Sequence, residues 1–159
     1  MDEDVARVRK LYSSSWPRVQ VVISDGLNPN ALNENLRLVL PEVRRQLAQA
    51  GHYIGDIDIV ILNGRVRAGY QVGMLLDVEV VIHFIGERPG TGIDTMSAYL
   101  TYGRDKAGQS RWGSDVDHSW TTAVCGIHRK AKRPETAAGE IAALVNRMFE
   151  VRGSGVALS

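Results

Sequence analysis

The chain has 159 residues, 44% of them hydrophobic and 23% charged, with a formal net charge of +1; this suits one domain with a sizeable core and gives no field that would recruit nucleic acid or an anionic membrane. Its one cysteine, Cys125, excludes an internal disulfide and fits a reducing, cytosolic setting. No apolar stretch approaches the ~20 residues of a membrane span, and the opening MDEDVARVRKLYSSSWPRV lacks a signal-peptide core.

Val5, Val8 and Leu11 fall at helical spacing, which predicts a short helix over 3–12, broken at SSSWP (Ser13 to Pro17). VQVVISDGL (19–27) is β-branched and closes on a Ser-Asp-Gly turn, so it is a buried strand. NPNALNENLRLVL (28–40) is expected as a turn and an unpatterned stretch, with a helix starting at Pro41, carrying Val43 and Leu47 inward and ending at Gly51. DIDIVILN (56–63) gives a second strand. RVRAGYQVGMLL (65–76) gives a helix with Val66, Tyr70 and Met74 on one face, weakened by Gly69 and Gly73 unless something packs close. VEVVIHFIG (78–86) is a third strand and MSAYLTYG (96–103) a fourth, more alternating one, followed by a Gly-, Asp- and Ser-rich loop to about 119. The last element is a helix opened by Pro134 and Glu135, with Ala138, Ile141, Ala142, Val145, Met148 and Phe149 as its apolar stripe and Gly153 and Gly155 beyond its end.

Strands alternating with helices predict a largely parallel α/β sheet, in which ligands bind beyond the carboxyl ends of the strands near a topological switch point. That rule draws attention to two loops, SDGL with Asp25 after the first strand and GERPG with Glu87 and Arg88 after the third, which it places on one sheet edge. The plainer reading of GERPG is a tight turn whose polar residues face water.

Familiar phosphate and metal signatures are missing. There is no G-x-G-x-x-G after a strand, no G-x-x-x-x-G-K-[ST], no C-x-x-C and no H-E-x-x-H. Asp115, Asp117, His118, Cys125 and His128 crowd one stretch but match no zinc spacing, so they read as caps and turn formers. Cys125, between Val124 and Gly126, reads as a buried inert thiol and not as a nucleophile, and the basic run His128 to Arg133 as a solvated loop.

Taken in order, VQVVISDGL, AGH, NGRVRAGYQVG, IGERPGTG, SAYLTYGRD and the tail around EIAALVNRMFE resemble the small subunit of ethanolamine ammonia-lyase over roughly residues 18–156. The resemblance implies a Rossmann-like three-layer domain over 18–159, preceded by a helix and linker over 1–17. It also implies adenosylcobalamin as cofactor, a barrel-shaped large subunit as partner and carrier of the substrate site, and conversion of ethanolamine to acetaldehyde and ammonia by the pair. The family's cobalamin contacts transfer to Val66 in GRV and Glu87 in GERPG. A third contact is a cysteine in a CISNI stretch. Aligning back from Ile127 and His128 puts Ala123 there, with Cys125 two residues later; Cys125 is taken as the cofactor-binding position, with Asp25 and Arg88 beside the set. No catalytic residue and no metal ligand is expected on this chain. Met74 departs from the acidic residue often found in the GRV helix. The resemblance implies a cytoplasmic protein, with a bacterial microcompartment as the alternative; the N-terminal extension that the family uses for packaging is not among these residues. Two other readings stand beside this one, a stand-alone Rossmann-like binding module and a lyase for another amino alcohol.

Overall fold

The two most apolar runs of the chain lie side by side. In the computed structural model, which describes residues 2–12, 16–90 and 92–159, β1 (Val19–Ser24) and β3 (Val80–Gly86) pair in parallel and are buried along their whole length. Such runs carry no polar alternation because both of their faces are covered. β2 (Ile59–Ile61) adds in parallel on the far side of β1, while β4 (Met96–Tyr102) and β5 (Thr121–Ile127) add antiparallel beyond β3. The order is β2-β1-β3-β4-β5.

The expected largely parallel sheet is therefore a mixed one, parallel only across β2, β1 and β3. The reason is local: the connection from β3 to β4 is too short for a helical crossover, so the chain can only double back. β5 lies just beyond the expected loop, in a stretch for which the sequence suggests no element. Only Val124 and Ile127 of its seven residues are buried, so this edge strand has no apolar run to announce it.

Among the described residues, four α-helices dress the sheet. α2 (Pro29–Gln49) and α4 (Pro134–Val151) pack together on one face, over Val21, Ile82, Phe84, Leu100 and Ile127. α3 (Val66–Leu76) covers the parallel half of the other face with Val72 and Leu76, and α1 (Asp2–Arg9) packs on α3. α2 begins twelve residues before the expected Pro41, which sits exposed inside it. Its inward stripe runs Ala31, Asn35, Val39, Val43, Leu47 at intervals of four, and the polar Asn35 hides the period. Asn35 is tolerated because its amide donates to the Asp94 carbonyl at 2.9 Å and to the Ala31 carbonyl at 2.8 Å. β2 is shorter than expected, and Met74 of α3 points outward, 49% exposed. The break expected at Ser13 to Pro17 lies outside the described residues at Ser13, Ser14 and Ser15. No helix among the described residues is long and apolar enough to cross a membrane.

Candidate functional site

The path of the chain singles out one edge. From β1 it passes through α2 to β2 on one side, and then through α3 to β3 on the other. The carboxyl ends of β1 and β3 thus flank a switch point, the place where open α/β sheets bind their ligands. β5 runs in the same direction as β3, since both are antiparallel to β4, so its carboxyl end reaches the same edge.

The loop after β1 is pressed onto the end of β3. Leu27 N donates to the Gly86 carbonyl at 3.3 Å, and Asn28 N to the Asp25 carbonyl at 3.0 Å. Gly86 is required by this contact, because a Cβ there would lie 2.0 Å from the Asn28 carbonyl oxygen. Asp25 Oδ1 is buried without a hydrogen-bond partner. A carboxylate oxygen left this way lacks the donor it would need, and it lies in the loop beside the switch point.

Glu87 sits one residue past β3 and is half-buried. Its carboxylate accepts from the hydroxyls of Thr95 and Ser97 and from Gly126 N at 3.0 Å. Burial raises its pKa, but the bonds from Ser97, Thr95 and Gly126 together outweigh that and hold it below the usual carboxylate value. Gly126 neighbours Cys125, so the structure brings two of the expected site residues together. Cys125 is exposed, which corrects the reading of a buried thiol. It lies on β5, the edge strand of the sheet. Arg88 is exposed and forms no ion pair with Glu87 among the described residues.

Val66 opens α3 on this same edge, and its carbonyl faces the buried ring of His83. Four residues on, on the same side of the helix, Tyr70 reaches across the sheet to Thr121 of β5, with the hydroxyls 2.7 Å apart. Between them β4 presents Ser97, Tyr99 and Thr101. Burial raises the Tyr99 pKa, and the nearby Cys125, Glu87 and Tyr70 add to it. Val66 at the head of α3 and Glu87 and Cys125 at the strand ends border this surface as a shelf, with the hydroxyls of Ser97 and Thr101 buried beneath it. From sequence Tyr70 reads only as part of a helix face and Tyr99 only as part of a strand. The signal available was the alternation Ser97, Tyr99, Thr101, polar on one face of a strand whose other face is core.

Neither of two surface hollows competes for this role. A groove of about 680 Å³ between α1, β2 and α3 is lined by none of the five expected residues. One of about 580 Å³ beside Glu34, Asp94 and His128 is likewise apart from them. No group of three or more metal-ligating side chains occurs among the described residues; His128 instead bonds Glu34 at 2.9 Å and accepts from Lys130 N.

A family model described as ethanolamine ammonia-lyase light chain (EutC) matches residues 1–159. Among solved structures, lipoprotein GNA1162 from Neisseria meningitidis aligns over 84% of this chain and 97% of its own, at 14% identity and a TM-score of 0.36, too loose a match to bear on function.

Proposed function

The chain belongs to the ethanolamine ammonia-lyase light-chain family, and on that premise we propose that its carboxyl-end shelf is the wall it presents to the cofactor of the assembled enzyme. The family is the small subunit of a cobalamin-dependent lyase that converts ethanolamine to acetaldehyde and ammonia and works with a large subunit. The cofactor form is adenosylcobalamin, which supplies the radical chemistry when bound. The substrate-binding residues belong to the large subunit, and this chain carries no catalytic residue and no metal ligand. The β1–α2–β2–α3–β3 unit is read as its Rossmann-like part. The setting is the cytoplasm, with a bacterial microcompartment as the alternative.

The observation that carries the reading is the bond from Gly126 N to the Glu87 carboxylate, which sets exposed Cys125 beside Glu87 at the carboxyl-end edge of the sheet. Their chemistry fits a corrin rim. Its ring needs an apolar flank, which Val66 provides, and its amide side chains need a polar border, which the strand ends provide. The part of this chain is to bind and orient the cofactor and to keep water from its edge.

The test is a cobalamin titration of the reconstituted two-subunit enzyme, followed by the visible absorption of the corrin. Cys125→Arg should weaken binding at least tenfold, since a bulky charge on the rim lacks a partner (about 1.4 kcal/mol per decade). Ala107→Arg, on the exposed loop at the opposite sheet edge, should leave it unchanged. Equal affinity in both variants would place the cofactor elsewhere.

A further inference from the structure

β5 carries one residue too many for its partner. Ala98 of β4 faces Val124, but Met96 faces Ile127, so Ser97 alone stands opposite Cys125 and Gly126. This is a β-bulge. Gly126 has φ +71°, in the left-handed region that suits glycine. The extra residue explains a burial pattern that a regular strand cannot produce: Val124 and Ile127, three apart, both point into the core under α4. It also turns Cys125 outward on the opposite side.

A bulge takes an N–H out of the ladder, and that group needs another partner. Gly126 N finds the Glu87 carboxylate at 3.0 Å. The carboxylate is itself fixed by Thr95 and Ser97, the second of which is the residue facing the bulge. Ser97 and Gly126 share Oε1, and Thr95 takes Oε2. With about four acceptor positions on a carboxylate, three are engaged within the chain.

We propose that Glu87 is a positioning residue: it caps the bulge at Cys125 and Gly126, and so sets how Cys125 is presented to whatever binds the shelf. Thr95 and Ser97 hold the cap in place. The geometry stands by itself; that the ligand is cobalamin rests on the reading above.

Because Cys125 is the only cysteine, its reaction with a coloured disulfide reagent reports this one position. The rate is measured at fixed pH on the full chain, and cobalamin affinity on the two-subunit enzyme. Glu87→Gln, Ser97→Ala and Thr95→Val should each change the thiol rate by roughly threefold or more, since rate follows access and local environment. In the same variants cobalamin binding should weaken about tenfold, the scale of one lost bond to a charged group. Ser97→Thr and Thr95→Ser, which keep the hydroxyl, should restore both. Should Glu87→Gln fail to fold, the milder Thr95→Val carries the comparison. An unchanged thiol rate with lost cobalamin affinity means that Glu87 meets the ligand directly, and overturns the proposal. A changed thiol rate with unaltered affinity supports the positioning role and sinks the cofactor reading instead.

Discussion

Ser24 Oγ and His83 Nε2 lie 2.6 Å apart across the β1–β3 pair, with both side chains shut away from solvent. A hydroxyl and an imidazole here make a polar rivet under the start of α3. The other ring nitrogen, Nδ1, has no hydrogen-bond partner. Burial pushes the His83 pKa down to about 4, with the Val66 carbonyl opposing it. The ring is therefore neutral at physiological pH.

That neutrality makes stability fall in mild acid. The unfolded chain takes up the His83 proton near 6.5, the folded chain only near 4, so the unfolded state binds more protons between those values. Stability is full above about 6.5, declines as pH drops toward 4, and has lost about 3 kcal/mol once both states are protonated. Denaturant melts at several pH values should show this slope, and His83→Gln should flatten it. Glu87 acts lower: its folded pKa is depressed, so its contribution is present above the ordinary carboxylate pKa and is lost as pH falls through the folded value. A slope that persists between 6.5 and 4 in His83→Gln would assign the effect to another group.

Replacing Gly126 tests the bulge apart from its cap. Its φ of +71° disfavours any Cβ, yet nothing lies within 4 Å of where one would sit. Gly126→Ala should thus cost about 1–2 kcal/mol from backbone strain alone, and Gly126→Asn less, because Asn tolerates that region. Equal stability of wild type and Gly126→Ala in urea would mean that the strand end relaxes to a regular register.

Trp112 is one of three tryptophans in the chain, with Trp16 and Trp120. Its indole N–H donates to the Val78 carbonyl at 2.7 Å, and its ring packs against the cluster of Val72, Leu76 and Val81. It serves the fold. Trp112→Ala should cost about 3 kcal/mol, the low end for a large aromatic because the ring is only partly buried. Trp16 is 47% exposed, so Trp16→Ala should cost far less, and any loss it causes should show on mixing with the large subunit. A small effect for Trp112→Ala in chemical denaturation would reverse this assignment.

Asn35 ties α2 to the loop that precedes β4, through the Asp94 carbonyl. Asn28 holds the same residue, with its amide 2.7 Å from Asp94 Oδ1. Asn35→Ala should cost roughly 1–3 kcal/mol, because it strands a part-buried acceptor. Asn35→Leu should do no better despite its greater helix propensity. The check is the urea midpoint; a more stable Leu variant would show that the contact is dispensable.

Local pattern alone determined the parts of this protein that are buried on both faces or along one clean stripe. The runs over β1 and β3, the stripe of α4 and the helix after GRV were legible because each needs only its own residues to specify its burial. The same holds for the order of motifs that marks the family, and for the sheet edge on which Asp25 and Glu87 lie. Tertiary structure decided the rest. Asn35 broke the period of α2, and only its bond to Asp94 shows why a polar residue belongs inside. β5, half solvated and bulged, has no period to read. The Glu87 carboxylate meets the Gly126 amide 39 residues away, and such a contact depends on the direction of β5 and on one extra residue in its ladder. Short-range propensity is blind to both, because they are set by which strand the chain finds beside it.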